Sequence, residues 1–96
     1  MTKEELGHRL AHEVDVWSSK DYETLLKELA KPVSYEHGEG PEWYAVDVAL
    51  IEREPEYVHV MVVVDNRLHR LRRPPLLPYK PLSSDFLVYR DGRVDN

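Results

Sequence analysis

Two histidines stand four residues apart near the start of the chain, at His8 and His12. This spacing can place two imidazoles on one face of a helix, where they could share a metal ion. The residues between them are Arg-Leu-Ala, without the glutamate that a metalloprotease helix uses to activate water. The helical step of about 100° puts both histidines opposite the apolar stripe of their helix. We therefore expect solvated surface histidines and no metal site.

A carboxylate and an imidazole on one face of a sheet could form an acid–base pair, and Asp47 and His59 are candidates. The predicted strand register places Asp47 opposite Val63, four residues from His59 along the same strand. At about 3.3 Å per residue, this separation is about 13 Å. The distance excludes direct proton transfer, so the sequence predicts no dyad of these two residues.

Other motifs that carry chemistry are incomplete in this sequence. None of the four glycines lies in a glycine-rich loop that opens a helix, so no phosphate-binding loop is predicted. Residues 72–78 combine paired arginines with paired prolines, as polyproline ligands do. Because a predicted strand follows them, we expect a rigid connection instead. These patterns indicate no catalytic residue and no cofactor, although they do not exclude an enzyme.

The composition is that of one small domain. The chain has 96 residues, of which 42% are hydrophobic and 32% charged, and it contains no cysteine. This length supports one two-layered core, so residues 1–96 are predicted to form a single domain. No apolar run approaches the about 20 residues that span a bilayer, and the first residues do not resemble a secretory signal. Without cysteine chemistry, a reducing cytoplasm is the expected location.

Charge is distributed unevenly along the chain. Residues 1–56 contain six Lys/Arg and fourteen Asp/Glu, whereas residues 57–96 contain seven and four, giving net charges of −8 and +3. Much of the positive charge lies in a basic stretch without acidic residues: Arg67, Arg70, Arg72, Arg73 and Lys80. Such a stretch can bind a phosphate backbone, an acidic partner or the acidic half of a second copy. The net charge of −5 opposes attraction to nucleic acid, so we expect no dedicated DNA or RNA binding.

Apolar spacing predicts two helices at the N-terminus. Thr2 and Glu5 form a capping box, and a helical stripe over 3–17 follows it: Leu6, Leu10, Val14 and Trp17. Asp21 can cap a second helix over 21–30, which Pro32 ends.

Beyond the second helix the apolar period changes from about 3.6 to about 2, which predicts strands over 33–36, 44–50 and 57–64. Residues 68–73 place charge on both faces, which indicates a short, twisted or edge strand. The proline-rich residues 74–81 indicate a loop or an extended crossover. A last strand is predicted over 86–89, with a turn at 90–93.

Loop lengths determine which residues lie opposite each other, since a slip of one residue turns every side chain over. A four-residue loop at 38–41 and a three-residue loop at 54–56 predict the opposite pairs Val33/Val46, Tyr35/Tyr44, Val46/Val64, Val48/Val62 and Leu50/Val60. These residues share one face, the first face, with Val58 and, at its margin, His37. The predicted fold is α+β, with two N-terminal helices packed on this face of a four- or five-stranded antiparallel sheet.

Several local motifs resemble those of a known superfamily. Asp21-Tyr22 opens the second helix, Leu25-Leu26 follows, and Val33-Ser-Tyr35 begins the first strand. This order resembles the start of proteins in the nuclear transport factor 2 superfamily, and residues 89–94 resemble their closing hairpin. The resemblance covers about forty of the 96 residues. It implies a curved antiparallel sheet around a conical cavity, with a ligand pocket or a dimer interface.

The opposite face of the predicted sheet, the second face, is too apolar to be fully exposed to water. Its members are Trp43, Ala45, Ala49, Ile51, Tyr57, His59, Met61 and Val63. Two helices cannot cover both faces of a sheet, so the cover is residues 74–81, a second subunit or a foreign protein.

Two functional hypotheses follow. The first is a small non-catalytic binding or self-associating module, a homodimer or a partner of another protein. Its predicted partner-binding residues are Trp43, Ile51, His59, Met61 and Val63, with a charged rim of Arg70, Arg72 and Arg73. The alternative is a small-ligand-binding protein or simple enzyme whose cone-like pocket is lined by Trp17, Tyr35, His37 and Tyr44.

Overall fold

The computed structural model describes residues 2–66 and 81–96. The elements in chain order are α1 (Lys3–Ser18), α2 (Tyr22–Glu28), β1 (Val33–His37), a short 3-10 helix (Gly40–Glu42), β2 (Tyr44–Arg53), β3 (Tyr57–Asp65), β4 (Leu82–Tyr89) and β5 (Val94–Asp95). The strands form one antiparallel sheet in the order β1–β2–β3–β4–β5. The predicted α+β class is confirmed. The strand predicted over 68–73 and residues 74–80 lie outside the described residues.

Side-chain caps start both helices where the sequence predicts them. The hydroxyl of Thr2 accepts a hydrogen bond from the Glu5 amide at 3.1 Å, and the Asp21 carboxylate accepts one from the Thr24 amide at 2.8 Å. The hydrogen bonds from Thr24 hold the pKa of Asp21 below its ordinary value. Helix α2 ends at Glu28, earlier than predicted. Neither helix has the length and apolar character that crossing a bilayer requires, within the described residues.

The core lies between the helices and the first face of the sheet. Helix α1 packs mainly on β3 and β4, and α2 packs on β3. The buried apolar residues are Leu6, Trp17, Tyr22, Leu25, Leu29, Tyr44, Val46, Val48, Val58, Val60, Val62, Val64, Phe86 and Val88. Each such side chain stabilises the fold by about 1.5–3 kcal/mol relative to its exposed state. Four alternate valines of β3 are therefore the centre of the core.

The predicted register between β2 and β3 is confirmed. Val46 lies opposite Val64, Val48 opposite Val62 and Leu50 opposite Val60. The register then shifts between Leu50 and Glu52, so that Glu52 lies opposite His59. This β-bulge, which the sequence analysis did not predict, brings a carboxylate beside the histidine of the second face.

The predicted register between β1 and β2 is wrong by two residues. Tyr35 lies opposite Val46 instead of Tyr44, and His37 lies opposite Tyr44. The connection contains a turn of 3-10 helix, so it occupies residues 38–43 instead of 38–41. Gly38 begins this loop at a φ of +76°, and a Cβ there would lie 2.3 Å from the Glu42 carbonyl oxygen. Because the shift is an even number of residues, every side chain keeps its predicted face.

We expect Val62→Asp to prevent folding. Val62 is fully buried, and an unpaired carboxylate there should lower the free energy of unfolding by more than about 4 kcal/mol. Val63→Asp is the matched control, because Val63 belongs to the second face and is only partly buried. Circular dichroism and urea unfolding of the two variants measure the difference. A folded Val62→Asp protein would contradict the register.

Candidate functional site

The described residues contain two polar clusters, one on each side of the sheet. The Glu13 cluster joins α1 to the first face and comprises Glu13, Trp17, Tyr35, His37 and Tyr44. The His59 cluster lies on the second face and comprises Glu52, Tyr57, His59 and Asp85. The two clusters differ in burial, and this difference decides what each can do.

Glu13 is a carboxylate inside the core, with 2% of its surface exposed. One of its oxygens accepts a hydrogen bond from the Tyr35 hydroxyl. The other accepts one from the Tyr44 hydroxyl at 3.3 Å and lies 3.8 Å from Nε2 of His37. The indole N–H of Trp17 donates to the Tyr35 hydroxyl at 2.8 Å. The buried carboxylate is thus compensated by donors from two strands.

The local pattern of α1 explains why Glu13 is buried. Glu13 follows Leu10 by three residues and precedes Trp17 by four, so it falls within the apolar stripe of the helix. Glu13 is not among the residues predicted from the sequence, although a charged residue inside an apolar stripe is a recognisable signal. Its phenol partners could not be identified in advance, because they depend on how the helix packs against the sheet.

The tyrosines of the Glu13 cluster are held in their neutral form. Burial, together with the hydrogen bond to Glu13, raises the pKa of Tyr35 far above its ordinary value. Burial also raises the pKa of Tyr44, with further contributions from the charge and hydrogen bond of Glu13. The Arg9 guanidinium, 6.0 Å from the ring centre of Tyr44, opposes this effect. Both phenols therefore serve as hydrogen-bond donors to the carboxylate.

The four residues predicted to line a pocket do come together in the Glu13 cluster. The His37 ring lies 5.2 Å from that of Tyr35 and 5.4 Å from that of Tyr44. Trp17 donates a hydrogen bond to Tyr35, and both Tyr35 and Tyr44 donate to Glu13. In the part of the chain that the structure describes, no buried side-chain nitrogen or oxygen lacks a partner. The arrangement connects α1 to β1 and β2 through polar contacts.

The His59 cluster is more open to solvent. Nε2 of His59 lies 2.5 Å from a carboxylate oxygen of Asp85, and Nδ1 lies 4.0 Å from one of Glu52. The Tyr57 hydroxyl donates to Glu52 at 3.0 Å, which raises the pKa of Tyr57 above its ordinary value. Asp85 and Glu52 expose 58% and 49% of their side chains. The cluster is a charged group on the sheet surface.

Asp85, and not Asp47, is the carboxylate that meets His59. Asp47 lies opposite Val63, as predicted, and accepts a hydrogen bond from the Ser34 hydroxyl. Strand β4 pairs with β3 in a register that places His59 opposite Leu87 and Met61 opposite Asp85. Asp85 is therefore on the same face as His59, two residues along β4 from the position opposite it, and its carboxylate reaches the imidazole. The sequence between β3 and β4 does not specify how these two strands pair. The contact between Asp85 and His59 could therefore not be predicted.

The other predicted partner-binding residues occupy different parts of the second face. Met61 is 37% exposed at the centre of β3, and Val63 is half-buried on the same strand. Ile51 is 48% exposed and lies at the β-bulge. Trp43 precedes β2 and donates its indole N–H to Glu36 at 2.6 Å. The predicted rim residues Arg70, Arg72 and Arg73 lie outside the described residues.

The histidine pair on α1 lies at the surface, and both His8 and His12 are exposed. Within residues 2–66 and 81–96, no group of three or more His, Cys, Asp or Glu side chains has the arrangement of a metal site. His8 and His12 thus lie on the solvent-exposed face of α1.

Comparisons with known proteins add no functional assignment. The chain matches no protein-family model, no curated protein and no solved structure. The resemblance to the nuclear transport factor 2 superfamily stays a prediction from local motifs. The inference of function therefore depends on the geometry of the two clusters and of the two sheet faces.

We expect Glu13→Ala to destabilise the fold by about 2–4 kcal/mol, because it leaves the Tyr35 and Tyr44 hydroxyls buried without their acceptor. Asp15→Ala is the matched control, since Asp15 is exposed on the same helix. Urea unfolding followed by tryptophan fluorescence measures both variants. Equal stability of the two would contradict a structural role for the buried carboxylate.

The raised pKa values of Tyr35 and Tyr44 predict a loss of stability at alkaline pH. Their contribution is complete below about pH 10, where tyrosine is neutral in the unfolded chain, and it falls as the pH rises further. We expect the urea midpoint to fall between about pH 10 and pH 12, and to fall less in Tyr35→Phe. Tyr89→Phe, outside the Glu13 cluster, is the control. An identical fall in wild type and Tyr35→Phe would exclude this linkage.

Proposed function

We propose that the protein is a non-catalytic module that self-associates through the second face of its sheet as a two-fold dimer. The observation that carries this proposal is that both described helices pack on the first face. The second face presents exposed Met61 and Ile51 together with partly buried Ala49 and Val63. Contiguous apolar surface of this kind is typical of interaction sites.

The apolar side chains of the second face provide a source of affinity. Met61 lies on the central strand β3, opposite Ala49 of β2 and Asp85 of β4. Burying a side chain such as Met61, Ile51 or Val63 contributes about 1.5–3 kcal/mol before the costs of association are subtracted. A few such anchors around a central methionine are enough for a weak to moderate dimer.

Charge complementarity favours a second copy of this chain as the occupant. The second face carries acidic side chains from three strands: Asp47, Glu52, Asp85 and Asp95. The same chain contains the basic stretch of Arg67, Arg70, Arg72, Arg73 and Lys80. In a two-fold dimer, any contact between the acidic surface of one copy and the basic stretch of the other forms twice. Arg70, Arg72 and Arg73 are the residues that the sequence predicts for the charged rim.

Self-association is favoured over a pocket at the Glu13 cluster. The polar groups of Glu13, Tyr35 and Tyr44 already bond to one another, which supports a structural role. Three surface depressions lined by described residues lie away from this cluster.

Two further elements of the proposal depend on the sequence. The chain has no cysteine, which supports a reducing cytoplasm as its location. The resemblance to the nuclear transport factor 2 superfamily, whose fold offers a dimer interface, is compatible with a module that pairs through its sheet.

We expect Met61→Lys to weaken the dimer by at least about tenfold, because it places a charge at the centre of an apolar contact. Val16→Lys is the matched control, since Val16 is 40% exposed on α1 and Met61 is 37% exposed. Sedimentation velocity over a concentration series gives the dissociation constant of wild type and both variants. The wild type and Val16→Lys should dimerise alike.

Two outcomes would reject the proposed interface. A wild-type protein that stays monomeric at tens of micromolar would exclude a functional dimer, and residues 74–81 or a foreign protein would then be the cover of this face. A dimer that Val16→Lys weakens more than Met61→Lys would assign self-association to the helical layer.

A further inference from the structure

His59 lies inside the surface to which we assign self-association, and each of its ring nitrogens is within 4.0 Å of a carboxylate oxygen. The partners are Asp85 at Nε2 and Glu52 at Nδ1. A neutral imidazole carries a proton on only one nitrogen, so its other nitrogen would direct a lone pair toward a carboxylate. The imidazolium form directs an N–H group toward both carboxylates. The geometry is therefore complementary to protonated His59.

Acidic groups from three strands surround this histidine. Glu52 of β2, Asp85 of β4 and Asp95 of β5 line one surface depression with His59. Tyr57, on the same strand as His59, donates to Glu52. The described residues that line this depression include no lysine or arginine. Among the described residues that line this depression, His59 is the one whose side chain can carry a positive charge.

We propose that self-association through the second face takes up protons at His59, so that the dimer is tighter at mildly acidic than at alkaline pH. The inference depends on the proposed function. In the monomer, water screens the exposed Asp85 and Glu52 carboxylates from His59. A second copy displaces that water, which strengthens the attraction between imidazolium and carboxylate and disfavours the neutral ring.

The pH range follows from the groups that can titrate. Imidazoles ordinarily titrate near pH 6.5 and carboxyl groups near pH 4, so histidine is the side chain that changes charge between about pH 6 and pH 8. A two-fold dimer contains two copies of His59. Partial proton uptake by both is expected to lower the dissociation constant about tenfold between about pH 8 and pH 6.

Sedimentation velocity at these two pH values tests the inference. We expect wild type and His12→Gln, which removes an exposed histidine of α1, to show the pH dependence. His59→Gln should dimerise with little dependence on pH. Asp85→Asn, which retains the histidine and removes its nearer carboxylate, should show a reduced dependence. Circular dichroism checks that each variant is folded.

The outcomes separate this inference from the proposed function. A dimer with the same dissociation constant at both pH values overturns proton uptake and leaves the interface in place. Full pH dependence in His59→Gln also overturns it, because another group is then responsible. A wild-type monomer at both pH values overturns the interface and the inference together.

Discussion

The pairing of β2 with β3 is the constraint on which the rest of the structure depends. With Val48 opposite Val62 and Leu50 opposite Val60, the alternate apolar residues of both strands share one face. That face is the surface on which α1 and α2 bury their own apolar stripes. A slip of one residue would turn the valines of β3 into the solvent and leave the helices without a core. The β-bulge after Leu50 preserves this pairing while it moves Glu52 beside His59.

The Glu13 cluster shows how a charged side chain is accommodated in so small a core. A buried carboxylate is costly unless donors surround it, and Tyr35 and Tyr44 provide those donors from neighbouring strands. The contacts are directional, whereas the valine contacts beneath α1 are not. The cluster therefore restricts how α1 lies over β1 and β2. Its carboxylate is buried, whereas the carboxylates of the cluster on the second face are about half exposed.

The second face combines two properties that rarely coincide on an inert surface. Met61 and Ile51 are apolar and exposed, and carboxylates from β2 and β4 lie beside His59 on the same face. Apolar area alone would favour any partner. The addition of acidic groups, in a chain that also contains an uninterrupted basic stretch, favours a second copy of the same chain. The imidazole of His59 lies among these carboxylates.

The sequence by itself determined where both helices begin and which face of β3 is buried. Thr2 and Asp21 specify the helix starts, and the alternation of β3 specifies which residues are buried, because capping and period depend on neighbours in the chain. Sequence reasoning also predicted the pairing of Val46 with Val64, since the intervening loop is short. Tertiary structure decided the pairing of His37 with Tyr44, because a turn of 3-10 helix lengthens the loop. It also brought Glu13 to Tyr35 and Asp85 to His59, since contacts between distant segments depend on how helix and strands pack in three dimensions.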